Sequence, residues 1–135
     1  PSPLWTVEDS ELVGRTTGLD HNEFLVNQYS LGDFEFTCEV KLVKNEGNSG
    51  IQLRSVPAGN AEVKGYQADI GAGWWGKVYE ELGRGLLEDN DAEKFVKPGE
   101  WNTYRIVAVG SRVRTWINGN LCVDRDDPDA ARRGM

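Results

Sequence analysis

Residues 33–43, DFEFTCEVKLV, alternate polar and apolar side chains from Asp33 to Leu42. A repeat of two residues is that of a β-strand, because successive side chains point to opposite faces of a sheet. The stretch therefore predicts an antiparallel strand with one face in the core and the other toward solvent. The apolar face comprises Phe34, Phe36, Cys38, Val40 and Leu42, and the polar face comprises Glu35, Thr37, Glu39 and Lys41.

Further strand patterns follow this stretch and are separated by short turns. Asn118-Gly119 favours a type I′ hairpin turn between two of them. A helix is predicted only at residues 127–133, where Asp127 caps the first turn and Pro128 takes its first position. The sequence therefore predicts an all-β sandwich of two antiparallel sheets. The predicted strands are 50–55, 65–70, 77–82, 101–109, 113–117 and 121–123.

The apolar halves of these strands are expected to be mostly buried between the two sheets. They are Phe34, Phe36, Val40, Leu42, Ile51, Leu53, Tyr66, Ala68, Ile70, Tyr104 and Ile106.

Length and charge restrict the kind of protein and its partners. The 135 residues fit one domain spanning 1–135. The net charge of −7 disfavours nucleic acid, whose binding depends on clustered Lys and Arg. No run approaches the roughly 18 apolar residues that span a bilayer.

Because His21 is the single histidine, a divalent metal would need oxygen ligands. Whether Cys38 and Cys122 form a disulfide stays open.

Polar side chains gather on the solvent face of the predicted sheet. They provide amides, carboxylates, a guanidinium and an aromatic ring, which are the groups that hold the hydroxyls of a sugar. The adjacent Trp74 and Trp75, among three glycines in GAGWWG, offer flat apolar surfaces for the sugar ring. Carbohydrate is therefore the predicted ligand. The polar set is Gln52, Arg54, Gln67, Asp69, Tyr79 and Glu81.

Each of these features also has a purely structural interpretation. The outer face of an antiparallel sheet is usually polar because it faces water. One tryptophan of the pair could be core and the other could cover a sheet edge. His21 fits a turn before an apolar run, and residues 48–50, Asn-Ser-Gly, are typical of a turn.

Several segments in order resemble the 3-keto-disaccharide hydrolase domain, long catalogued as a domain of unknown function. The resemblance implies a concanavalin A-like jelly-roll sandwich with the site on a concave sheet, and an extracytoplasmic, periplasmic or secreted role in bacterial sugar breakdown. Family members continue with a closing strand and a last apolar strand, so another segment, domain or chain is expected to complete the sandwich. The matching segments are WTVEDSELVG (5–14), HNEFL (21–25), DFE (33–35), NSGIQLRS (48–55), GYQADIG (65–71), VYEE (78–81), GRG (83–85), KPGEWN (97–102) and WING (116–119).

The resemblance implies that a sugar oxidised at C3 loses its acidic C2 proton to a base, and that the C1 group is then eliminated before water adds. Asp69 or Glu81 is the expected base, and Glu80 replaces Glu81 on the face if a bulge intervenes. His21 is the expected acid or base partner, and a divalent ion is an optional enolate stabiliser. The expected substrate-binding residues are Asn48, Gln52, Arg54, Gln67, Trp74, Trp75, Tyr79 and Arg84, with Arg54 and Gln67 stabilising oxygen.

Two other functions stay open at the level of sequence. A carbohydrate-binding module can use the same sandwich without catalysis, because a fold does not fix a function. A glucanase of similar fold is less consistent with the sequence, since no strand carries a Glu-x-Asp-x-Glu run.

Overall fold

The computed structural model describes residues 3–135, which form ten β-strands and two short 3-10 helices. The helices, Val43–Asn45 and Ala92–Phe95, are single turns in connections between strands. The strands are β1 (Trp5–Glu8), β2 (Glu11–Gly14), β3 (Phe34–Val40), β4 (Asn48–Gly59), β5 (Glu62–Gly71), β6 (Val78–Glu81), β7 (Gly85–Glu88), β8 (Asn102–Val109), β9 (Arg112–Ile117) and β10 (Asn120–Asp126).

Two four-stranded sheets make up the body of the described chain. Their strand orders are β4-β5-β6-β7 and β10-β9-β8-β3, and β1 pairs with β2 in a separate hairpin. Every pair of neighbours is antiparallel. The predicted all-β class with two antiparallel sheets is confirmed.

The core lies between the two sheets and is built by the alternating residues of their facing strands. Most of the predicted core residues pack there, with Ala68, Tyr104 and Ile106 fully buried. Phe36 is the exception, because 43% of its surface is exposed on β3, which is an outer strand of its sheet. The prediction for Phe36 is therefore wrong.

A β-bulge interrupts the alternation of β4 at Arg54. The register with β5 shifts between Leu53 and Val56, and Arg54 has a φ of 50°. A bulge inserts one residue, so the side chains beyond it change faces. Arg54 consequently leaves the face that carries Gln52, and Ser55 takes its place there.

The predicted turns and helix have mixed outcomes. The Asn118-Gly119 hairpin turn is confirmed, because both residues have the positive φ that a type I′ turn requires (49° and 79°). The helix at 127–133 is wrong, since that segment forms one turn in which the amide of Ala130 donates to the carbonyl of Asp127. The turn at 48–50 is also wrong, because these residues begin β4.

The last two residues of the chain extend the sandwich by one short pairing. Gly134 pairs with Leu31, and Met135 exchanges two backbone hydrogen bonds of 2.9 and 3.0 Å with Ser55. This pairing covers the outer edge of β4 at Ser55. The expectation that a further segment or chain completes the sandwich stays a prediction.

Candidate functional site

Three neighbouring strands bring the predicted polar residues together on the outer face of the β4-β7 sheet. Gln52 of β4 pairs with Gln67 of β5, which pairs with Tyr79 of β6. Asp69 lies two residues beyond Gln67 on the same face, and Glu81 lies two residues beyond Tyr79 at the opposite end. We call this group of five side chains the outer-face cluster.

A series of hydrogen bonds links the β4 and β5 members of the outer-face cluster. The Ser55 hydroxyl donates to Oε1 of Gln52 over 2.7 Å, and Nε2 of Gln52 donates to Oε1 of Gln67 over 2.9 Å. Nε2 of Gln67 in turn donates to Oδ1 of Asp69 over 2.7 Å. The series needs a glycine at position 50, because a Cβ there would lie 2.3 Å from Cγ of Gln67.

Asp69 is the most unusual member of the cluster because its carboxylate is almost fully buried. Its exposed fraction is 2%, and within residues 3–135 its Oδ2 atom is buried without a hydrogen-bond partner. Burial raises the pKa of Asp69 to about 6, and the charge of Glu81 adds to the rise. The hydrogen bond from Gln67 and the charge of Lys77 act in the opposite direction. Asp69 therefore titrates close to neutrality.

Glu81 is a second carboxylate with an altered pKa at the other end of the cluster. Burial raises the pKa of Glu81, and the nearby charge of Glu62 raises it further. The side chain is only half-buried, so solvent reaches it more easily than it reaches Asp69.

Trp74 and a lysine border the outer-face cluster next to Tyr79. The rings of Trp74 and Tyr79 meet edge to face with centroids 6.4 Å apart, and 41% of Trp74 is exposed. Nζ of Lys77 lies 5.7 Å from the Trp74 ring centroid and 2.8 Å from Oδ1 of Asp89. Sequence reasoning missed Lys77, although its position two residues before Tyr79 predicts the same face.

Two of the predicted ligand-contacting residues face the interior instead. Trp75 is 1% exposed and packs in the core, with its Nε1 donating to Oδ1 of Asn45 over 2.8 Å. Arg54 is 3% exposed and donates to the carbonyls of Gly32 and Gly110, over 2.8 and 2.6 Å. The expectation that Trp75 walls the site and that Arg54 stabilises a substrate oxygen is therefore wrong in this structure.

Comparison of the sequence with family models supports the resemblance. The model described as 3-keto-alpha-glucoside-1,2-lyase-like domain matches residues 2–135, which is nearly the whole chain. The chain belongs to this family. A comparison with curated proteins gives no significant match.

A solved structure shares the fold of this lyase-like domain. The carbohydrate-binding module CBM66 from Bacillus subtilis superimposes with a TM-score of 0.70 at 17% sequence identity. The alignment covers 96% of this chain and 78% of the module. The predicted jelly-roll β-sandwich is thereby confirmed.

Glu80 and Arg84 of the lyase-like domain lie on the inner side of the sheet, away from the outer-face cluster. Arg84 donates to Glu80 over 2.6 Å and to Asp127 over 2.7 Å, and one of its nitrogens lies 3.0 Å from the hydroxyl of Tyr66. Asp127 also accepts a hydrogen bond from Tyr66. The network borders a cavity of about 390 Å³ at the end of the sandwich. Because its charged groups bind one another, we interpret the network as structural, and the expected site roles of Glu80 and Arg84 stay predictions.

His21 and Asn48 are not in hydrogen-bond contact with Asp69 within the described chain. His21 is exposed and contacts Asp20 over 2.6 Å, which raises its pKa. Its neighbour Asn22 contacts Glu62 over 3.4 Å, so the loop approaches the Glu81 end of the face. Asn48 is the exposed first residue of β4.

Other expectations concern metal, cysteines and membranes. Within residues 3–135, no three His, Cys, Asp or Glu side chains are grouped so that they could hold a metal ion. Cys38 and Cys122 are both free thiols. In the same range, no helix has the length and hydrophobicity needed to cross a bilayer.

Proposed function

We propose that this domain cleaves glycosides that carry a ketone at C3, with Asp69 as the base that removes the C2 proton. The observation that carries the proposal is the Oδ2 atom of Asp69, which makes no protein hydrogen bond in the described chain and belongs to a carboxylate with a pKa of about 6. A base with a pKa near the working pH combines a large ionised fraction with adequate basicity. Membership of a lyase-like family supports the same reaction.

The proposed reaction begins with transfer of the C2 proton to Oδ2 of Asp69. The C2–H electron pair forms an enolate with the C3 ketone, and the enolate then expels the oxygen substituent from C1. The leaving oxygen takes a proton from water, and the resulting hydroxide adds to C1 of the double bond while Asp69 returns its proton to C2, which completes a net hydrolysis. The ammonium of Lys77, whose charge already acts on Asp69, supplies the positive charge that stabilises the enolate oxygen.

An exposed aromatic edge beside Asp69 supports carbohydrate as the ligand. The apolar face of a pyranose packs on the half-exposed Trp74, and Tyr79 holds that ring edge to face. Since the rings lie over the β5-β6 part of the face, a bound sugar is directed toward Asp69 and Lys77.

A second function, carbohydrate binding without catalysis, is favoured by the burial of Asp69. Its Oδ2 is shielded from solvent, so a substrate must first displace the side chains above it. In a binding module Asp69 would only fix the amide of Gln67. The structural neighbour, named a carbohydrate-binding module, supports this alternative.

Turnover and binding assays distinguish the two functions. The purified domain is incubated with a 3-keto-glucoside and, separately, with unmodified disaccharides, and released sugar is measured. Asp69→Asn keeps the shape of the side chain but removes its basicity, so we expect turnover to fall by a factor on the order of 10²–10⁴ with little change in affinity. Glu81→Gln is the companion variant, and Asp126→Asn, an exposed carboxylate on β10, is the matched control.

Three results decide between the assignments. If Asp69→Asn loses turnover and Asp126→Asn does not, the proposed base is supported. If Glu81→Gln alone loses turnover, Glu81 is the base instead. If the wild type binds sugar but releases none, the domain is a binding module.

We also propose that the domain works outside the bacterial cytoplasm, as the resemblance implies. Cell fractionation of the source bacterium tests this proposal, with the protein expected in the periplasm or the medium.

A further inference from the structure

The hydrogen-bond series that ends at Asp69 has a fixed direction. An ionised carboxylate only accepts hydrogen bonds, so Gln67 must turn its Nε2 toward Oδ1 of Asp69. Oε1 of Gln67 then faces Gln52, which must present its own Nε2. Oε1 of Gln52 is left to accept from the Ser55 hydroxyl. The orientation of both amides therefore follows from the charge on Asp69.

The series is enclosed at its β4 end. Ser55 is 1% exposed, and Gly65 lies so close that a Cβ there would come within 2.3 Å of Oγ of Ser55. Gly50 leaves the space into which the side chain of Gln67 folds. Two glycines and a buried serine thus hold the amides in one arrangement.

We propose that Ser55 and Gln52 are positioning residues that act through Gln67 to hold the carboxylate of Asp69 with Oδ2 free. The inference rests on the proposed role of Asp69 as base, and it adds Ser55, which lies outside any contact with substrate. It also assigns Gln52 and Gln67 to orientation of Asp69 rather than to contact with sugar hydroxyls, because their facing amide groups already bind one another.

Three other side chains also affect the pKa of Asp69 or its position, and the test must leave them unchanged. Lys77 and Glu81 act through their charges, and the Tyr104 hydroxyl donates to the backbone carbonyl of Asp69 over 3.3 Å. None of them hydrogen-bonds to Ser55 or Gln52 within the described chain. Ser55→Ala therefore changes the series alone, whereas a glutamate substitution at Gln52 also adds a negative charge next to Gln67.

Titration of Asp69 tests the series without any need for turnover. The carboxyl carbon of Asp69 is followed by NMR in the wild type, with the Asp69→Asn spectrum giving the assignment. In Ser55→Ala the series loses its first donor, so the hold of Gln67 on Asp69 weakens and the pKa of Asp69 should rise by up to about one pH unit, the size of a lost hydrogen bond to a charge. Ser49→Ala is the matched control, because Ser49 is an exposed serine on the same strand.

Gln52→Glu is the sharper variant, since it keeps the size of the side chain and reverses the series. A glutamate at position 52 only accepts, so Gln67 must turn its amide toward it and present Oε1 to Asp69. Asp69 then hydrogen-bonds to Gln67 only when protonated, and the added carboxylate also repels ionised Asp69, so the pKa of Asp69 should rise further than in Ser55→Ala. A thermal melt of each variant confirms folding.

The outcomes separate this inference from the proposed function. A higher pKa of Asp69 in Ser55→Ala and Gln52→Glu, together with an unchanged pKa in Ser49→Ala, supports the positioning role even if no turnover is found. In an active domain the acidic limb of the kcat profile should move in the same direction. If Asp69 has its wild-type pKa in both folded variants, the inference is overturned. The proposed role of Asp69 as the base is not affected by that result.

Discussion

Trp74 and Trp75 are adjacent in the sequence, yet 41% of Trp74 is exposed whereas 1% of Trp75 is exposed. The backbone amide of Trp74 donates to the carbonyl of Gly71 and closes a turn. The ring of Trp74 contacts the ring of Tyr79 on the outer face. Trp75 packs in the core, where its indole nitrogen donates to Oδ1 of Asn45. Trp74 is therefore accessible to a ligand, whereas Trp75 stabilises the core.

The first prediction separates these two roles. Trp75→Ala should lower the free energy of unfolding by about 3–5 kcal/mol, because it leaves a large cavity in a packed core. Trp74→Ala should change stability by less than about 1 kcal/mol but weaken sugar binding about fivefold or more through loss of the stacking surface. Urea unfolding and calorimetric titration with sugar measure the two effects. Equal stabilities of the two variants would contradict the assignment.

The second prediction concerns Arg54, whose guanidinium joins the two sheets. It donates to the carbonyls of Gly32, Gly110 and Ala131 and lies 3.1 Å from Asp33. Arg54→Met removes several hydrogen bonds made by a buried charged group, so the free energy of unfolding should fall by about 3 kcal/mol or more.

Arg112→Met is the matched control for Arg54. Arg112 is paired with Asp124 at 2.7 Å, but 56% of its side chain is exposed. Exposed ion pairs contribute about 0–1 kcal/mol, so this variant should unfold at nearly the wild-type urea concentration. If both variants lose the same stability, Arg54 does not join the sheets as described.

The sequence predicted β3–β6 and β8–β10 because alternation is a local signal, but it missed the four-residue strands β1, β2 and β7. It failed at Arg54, where a bulge with positive φ exchanges the faces of β4. Alternation alone cannot locate a bulge, because the extra residue is identified only by its pairing with the next strand. The same limit applies to Trp75, since two adjacent tryptophans give no sign of which one faces inward.

Contacts between distant segments account for the other differences. The capping signal at Asp127 predicted a helix, but the carboxylate of Asp127 is bound by Tyr66 and Arg84 from the other sheet. Tertiary contacts of this kind override local preference. Gln52, Gln67, Asp69, Tyr79 and Glu81 did come together as the alternation predicted, whereas the shielding of Asp69 was not readable from its strand.

The third prediction concerns the free thiols Cys38 and Cys122. Burial raises the pKa of both, that of Cys122 to about 11, so the reactive thiolate is scarce at neutral pH. A disulfide reagent should therefore label the native protein slowly and label two thiols per chain at once in denaturant. A reductant should leave the melting temperature unchanged, and a drop in that temperature would indicate a disulfide instead.

The last prediction follows from the pKa of Asp69, which lies near 6 in the fold against an ordinary value of 3.8. The fold binds the proton more tightly than the unfolded chain does, so Asp69 favours folding at low pH. That contribution is lost as the pH rises through 6. Asp69→Asn stays neutral, so its stability relative to the wild type should increase by about 2–3 kcal/mol between about pH 4 and about pH 7.5.

Comparing the two pH values cancels any constant cost of the new amide. Urea unfolding of both proteins measures the change, with Asp126→Asn as the control. A relative stability independent of pH would show that Asp69 titrates normally, and the argument for it as a base would then fail.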